Sequence, residues 1–261
     1  MRRLDDGRVA CGGSAGQTGP RLAAFTVLLM AYFRQSKRRT ALFLEALCQI
    51  PCSAALTVKL QNIATEALRP CYEQMREALP RCDVVAMDET PSKEACDKVW
   101  LWTGVTREFT LFHIADSRTA DVPKELLGED FSGILTSDRY VGYDWIRRRQ
   151  LCWAHLLRDF QSLIDAGGKS KTIGRKLKAC AEKLFHHWHR YRDGTIMRET
   201  MRRNIRKLWW PVYKALEDGT LKLHGKQAGM CQHILDRVDH LWTFLHHEDV
   251  EPTNNASERS L

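Results

Sequence analysis

The amino-acid sequence predicts an α/β protein, a five-stranded sheet set between an N-terminal helical region and a large all-helical block. Three observations predict it. Residues 82–153 alternate short apolar, β-branched runs with turn signals in the order β-β-β-α-β-α-β. Residues 20–80 and 155–247 carry apolar side chains at helical spacing. A chain of 261 residues, 44% hydrophobic and 28% charged, buries a core of one large or two smaller domains, which excludes global disorder.

Taken in order, residues 1–19 are Gly-rich and read as a flexible leader. A first helix puts Leu22, Phe25, Leu28, Leu29 and Tyr32 at helical spacing. Ser36 caps a second helix through Ala41, Leu42, Leu44 and Leu47. Gln49-Ile50-Pro51 breaks it, and Ser53 caps a third helix to about Leu68. As a helix-turn-helix, this pair offers Thr57, Lys59, Gln61 and Asn62 to DNA; a plain helical hairpin has the same pattern.

The strand region follows. Val84, Val85 and Met87 form a strand ending at Asp88, and Val99–Val105 and Phe109–Ala115 form two more. Asp116-Ser117-Arg118 open a helix through Leu126 and Leu127, Gly133–Thr136 leads to Asp138, Val141–Ile146 is a helical turn, and Leu151–Trp153 is the fifth strand. The helical block is broken near Gly167-Gly168, Asp193-Gly194, Pro211 and Gly219–Gly225, and Pro252-Thr253-Asn254-Asn255 caps a last helix. The division expected is a leader at 1–19, a helical, DNA-binding region at 20–80, a core at 81–160, a helical block at 161–250 and a last helix from 251 to 261.

Charge is unevenly spread. The net of +8 divides into +5 over residues 1–80, −3 over 81–155, +7 over 156–250 and −1 over the remainder. Basic arms flanking an acidic centre suit a polyanion, whose phosphates the arms neutralise while the centre requires a cation. The longest mostly apolar stretch, Leu22–Phe33, is too short to span a membrane, and no signal peptide is recognisable. Nine cysteines without a C-x-x-C pair suit reduced thiols, so a cytoplasmic protein is expected.

Asp88 and Asp138 each stand where an apolar strand runs out, and adjacent strands would bring them to one sheet edge. Two such carboxylates suit a hard divalent cation, and Glu258 on the last helix is the candidate third. Arg202, Arg203, Arg206 and Lys207 lie at near-helical spacing beside Trp209 and Trp210, as a phosphate-contacting face with an aromatic anchor or a solvated face with core tryptophans. The histidines at 186, 187, 189, 246 and 247 point to different helical faces and do not form a metal site. Gly167-Gly168-Lys169-Ser170 lacks the first glycine of a nucleotide-binding loop.

Four stretches carry a resemblance: Met87-Asp88-Glu89-Thr90-Pro91, Thr136 through Tyr143, Cys152 through Phe160, and Asn254-Asn255-Ala256-Ser257-Glu258-Arg259. In these residues and their order the chain resembles the bacterial transposases of the insertion-sequence sixty-six family, within the DDE superfamily. The resemblance implies a ribonuclease H-like five-stranded mixed sheet with flanking helices and a helical insertion before the last catalytic helix. It implies a triad of Asp88, Asp138 and Glu258 holding Mg²⁺, with Mn²⁺ as substitute, and supported by Cys152 and His155. It also implies phosphodiester hydrolysis and strand transfer on element ends and target DNA, by a homo-oligomer associated with the nucleoid. DNA contacts are expected from Lys59, Gln61, Arg202, Arg203, Arg206 and Lys207.

Relative to that family both ends are expected to be shortened, so the alternative is a truncated, inactive remnant acting at most as a DNA-binding protein. A purely hydrolytic nuclease would instead use Glu125 as its third carboxylate.

Overall fold

A computed structural model of the chain describes residues 18–94 and 96–260, the side chain of Glu258 excepted. Nearly all of the expected leader lies outside the described residues. The chain divides into two compact units, one up to Gln74 and one from Met75 onward.

The first unit is helical. Helix α1, Pro20–Ala31, has proline at its first position, where the missing N–H costs nothing. Helix α2, Lys37–Cys48, is capped by Ser36, whose hydroxyl accepts from the Arg39 amide at 3.3 Å. It ends at Gln49, which adopts a left-handed conformation (φ 54°). Ser53 accepts from the Leu56 amide at 3.1 Å to start helix α3, Ala54–Ala78. This helix runs ten residues beyond the expected Leu68 and carries Pro70 inside it: a proline removes one ladder bond, and the turns on either side keep theirs. Thr57 is buried, its hydroxyl donating to the Ala54 carbonyl at 2.7 Å, so it is not available to DNA, whereas Lys59 and Asn62 are exposed.

The second unit holds a five-stranded mixed sheet in the order β3-β2-β1-β4-β5. Its strands are β1, Val84–Glu94, β2, Asp97–Val105, β3, Thr110–Ala115, β4, Ile134–Ser137, and β5, Arg149–Leu151. The first three pair antiparallel, and β1, β4 and β5 pair parallel. Strand β1 does not stop at Asp88 as expected; it stays paired with β2 as far as Glu94 opposite Asp97. Pro91 is tolerated there because pairing with β4 ends at Ala86, leaving that side of β1 an open edge.

Two other boundaries differ from expectation. Residues 116–118 do not begin a helix: the Ser117 carbonyl accepts from the Trp102 indole at 3.3 Å and the Arg118 carbonyl from the Tyr140 hydroxyl, and helix α4 spans Asp121–Leu127. Trp153 is not in the fifth strand; it opens helix α5, Trp153–Asp165, and its indole donates to the Leu241 carbonyl at 2.8 Å.

Helices α6, Gly168–Arg192, α7, Arg198–Arg206, α8, Trp209–Lys222, and α9, Gly225–Leu235, continue the block. Pro211 does not break it but sits in the first turn of α8, where its ring fits, and Gly219 lies inside the same helix. One apolar core joins Ile134, Leu151 and Trp153 of the sheet side to Leu177, Leu184, Met201, Leu216 and Phe244 of the block. The last element, α10, Asn255–Ser260, lies against β1 and β2.

Candidate active site

The register of β1 and β4 has a constant offset of fifty: Val84 faces Ile134, Val85 faces Leu135 and Ala86 faces Thr136. The pairing of the two strands ends there; Asp88 lies two residues further along β1, and Asp138 is the first residue after β4. On β1, Val85, Met87 and Glu89 are buried on one face, while Val84, Ala86 and Asp88 share the other.

Each carboxylate is held locally. Asp88 Oδ1 accepts from the Glu89 amide at 3.0 Å, and its carbonyl accepts from the Thr103 hydroxyl of β2 at 3.3 Å. Asp138 Oδ1 accepts from the Tyr140 amide at 2.8 Å. Its carbonyl accepts from Arg149 Nη2 at 3.0 Å, and that guanidinium, 1% exposed, donates also to Asp144 at 2.7 Å. Asp144 pairs in turn with Arg237.

Glu89 is the residue that sequence reasoning missed. Its carboxylate, 1% exposed, accepts from the Tyr143 hydroxyl at 2.7 Å and from Arg118 Nε at 2.8 Å. Burial raises its pKa, against the opposing pull of these two donors. Burial likewise holds the Tyr143 hydroxyl well above its ordinary range, with Glu89, Asp138 and Asp88 adding to the shift; all three acids therefore lie within electrostatic reach of one phenol. Arg118 packs over the rings of Tyr140 and Trp100, at 4.3 and 5.2 Å. The available signal was strict alternation: a carboxylate next to Asp88 must face the opposite side of the strand.

The last helix is tied to this edge by its entry loop. The Trp153 amide donates to the Pro252 carbonyl at 2.9 Å, the Asn254 amide to Cys152 Sγ at 3.1 Å, and Asn254 Nδ2 to the Met87 carbonyl at 2.8 Å. Asn254 and Ser257 are both fully buried. Glu258 therefore sits one turn into a helix anchored to the residue that precedes Asp88; its carboxyl group lies outside the described atoms. Cys152 is buried at the start of α5, serving the loop through its sulfur, and His155 is half-buried in the first turn.

The remaining candidates lie elsewhere. Glu125 is exposed on α4, ion-paired with Arg76 and in the electrostatic surroundings of His113 on the edge strand β3. Arg203, Arg206 and Lys207 are exposed, and Arg202 is half-buried and pairs with Glu199 at 3.2 Å. Trp209 and Trp210 are not core residues; they are exposed. Among the described residues no three His, Cys, Asp or Glu side chains form a metal-binding group, and no helix is long and apolar enough to cross a membrane.

Three antiparallel strands continued by two parallel ones, acidic residues at the parallel ends and a helix returning to that edge after a long helical block define an α/β protein of the ribonuclease H-like class. The profile described as the Transposase IS66 family matches residues 15–261, and the chain belongs to that family. No curated protein matches it.

Proposed function

We propose that the chain carries out the phosphoryl-transfer chemistry of DNA transposition with Asp88, Asp138 and Glu258 as its acidic triad. The observation that supports this reading is the parallel register of β1 and β4, whose constant offset of fifty runs to Ala86 and Thr136, two residues short of Asp88 and Asp138. Aspartate oxygens on β1 and just after β4, with the Glu258 helix anchored to β1, are the hard donor set that magnesium or manganese prefers. Such an ion, when bound, supplies polarisation of a phosphoryl oxygen and a more acidic attacking water.

The chain's own residues supply placement. The Tyr140 amide and the Arg149–Asp144 pair fix the Asp138 loop, Thr103 fixes the Asp88 backbone, and Asn254 fixes the helix of Glu258. Two in-line displacements then suffice: water attacks a phosphodiester at the element end and frees a 3′ hydroxyl, which next attacks target DNA. No covalent enzyme intermediate is needed, because one fixed site serves both steps. Lys59 and Gln61 on α3 and Arg202, Arg203, Arg206 and Lys207 around α7 are the proposed DNA contacts, and pairing of two element ends calls for a homo-oligomer.

The test is cleavage of a duplex carrying the terminal DNA of the encoding element, in Mg²⁺ or Mn²⁺. Asp88→Asn, Asp138→Asn and Glu258→Gln each should lower the rate by roughly 10²-fold or more, with Glu125→Ala close to wild type. Full cutting by Asp138→Asn would overturn the assignment. Salt-sensitive binding without any cutting would favour the DNA-binding alternative.

A further inference from the structure

Helix α8 opens with Trp209 and Trp210, 37% and 62% exposed, and Tyr213 follows one turn on. The three rings are nearly parallel: Trp209 and Tyr213 have centroids 5.2 Å apart at 10°, Trp210 and Tyr213 5.7 Å at 12°, and the two indoles 6.3 Å at 20°. Indole is the largest apolar side chain, and two in a row left open to water are not what a self-sufficient core produces. Beside Trp210 runs a groove of about 390 Å³ between α6 and α8, to which Lys176, Lys183 and Lys214 contribute. Asp218 is the acidic side chain in its lining, and it is already paired with Lys222 at 2.8 Å and Lys214 at 3.9 Å. Lys214 also bonds Glu217 at 2.5 Å, while Lys176 and Lys183 are exposed on the wall, Lys176 within electrostatic reach of Asp218.

We infer that this face binds unpaired nucleotides of single-stranded DNA, a base stacking on Trp210 and the adjoining phosphates lying against Lys176 and Lys183. Flat rings beside lysines match the two surfaces of a nucleotide, an aromatic face and an anionic link, and every base has such a face. A duplex hides its base faces within its own stack and offers only phosphates. A protein partner is the poorer fit, because the centre of a protein interface is depleted in lysine and this groove is walled by it. The inference rests on the reading of the chain as acting on DNA but not on the acidic triad, whose residues lie on β1, just after β4 and on α10.

The full chain is titrated, without divalent ion, with a short oligodeoxythymidylate and with a duplex of equal length, following tryptophan emission and anisotropy. The single strand should quench the emission and bind more tightly than the duplex. Trp210→Ala should weaken single-strand binding about tenfold while duplex binding moves less than about twofold, and Lys183→Glu should weaken it and flatten its salt dependence. Asp88→Asn should bind the single strand as wild type does, so that failure of the cleavage assignment and failure of this site are told apart. Unchanged single-strand affinity in a natively folded Trp210→Ala would overturn the inference. So would equal losses on both ligands, or a dimer dissociated by Trp210→Ala that keeps its single-strand affinity. Were Trp210→Ala not to fold, Lys183→Glu, exposed and free of packing duties, decides: unchanged affinity there overturns it equally.

Discussion

A single side-chain amide ties strand β1 to the entry of the last helix. Asn254 Nδ2 donates to the Met87 carbonyl across 167 positions of sequence, one residue before Asp88. Only the nitrogen of that amide suits a carbonyl acceptor, which fixes its orientation. Asn254→Ala leaves a buried carbonyl without its donor, a cost of about 1–3 kcal/mol, and releases the helix of Glu258. Asn254→Asp should be worse, since it sets an acceptor against that carbonyl and a second negative charge near Asp88. Denaturant midpoints and cleavage rates measured together should rank wild type above Asn254→Ala above Asn254→Asp. This bond was illegible in the sequence because it spans a distance that no local pattern encodes. The Ser36 and Ser53 caps were legible because a cap bonds within three residues of itself. Glu89 falls between: the start of its strand was readable, and its own burial depended on Tyr143 and Arg118, which arrive from other elements.

Among the elements, close helix packing separates two glycines that look alike in sequence. A Cβ at Gly174 of α6 would stand 2.8 Å from the Phe160 carbonyl oxygen and 2.9 Å from the Ile164 amide nitrogen of α5. One at Gly229 of α9 would meet nothing within 4 Å. Gly174→Ala should therefore destabilise by about 1–3 kcal/mol, the overpacking of a rigid backbone exceeding the helix-propensity gain. Gly229→Ala should stabilise by about 0.5–1 kcal/mol from propensity alone. Urea unfolding checks the sign of each, and equal shifts would refute the packing argument. The same scale explains the misplaced strand end. Thr90-Pro91 marks a stop for a strand with two neighbours, but β1 beyond Ala86 keeps β2 alone, and a one-sided edge accepts proline. Trp153 belongs to the helix because Cys152 supplies the first helical carbonyl and the indole reaches Leu241.

For the whole molecule, burial decides the response to acid. His113, His187, His233, His240 and His246 all have pKa values lowered, chiefly by burial, with neighbouring arginines among the further causes for each. In the unfolded chain these imidazoles titrate near about 6.5. As pH falls through that value the unfolded state takes up protons that the folded state refuses, so stability declines until the lowered folded pKa values are passed. Glu89, raised by burial, pulls the other way. The urea midpoint should thus be higher near neutrality than about one unit below the histidine range, and His240→Gln should flatten the slope. A flat profile across that window would contradict the account from partly desolvated imidazoles.

The hydrogen bond from the Trp153 amide to the Pro252 carbonyl brings the start and finish of a long excursion to one point. In chain path, the stretch between them is a graft: it can lengthen, shorten or change direction without tugging on the acidic edge. In packing it is a wall, because Ile134, Leu151 and Trp153 share their interior with its helices. Relatives are therefore free to vary the span of this stretch, provided that the few side chains facing those three residues vary in concert with them.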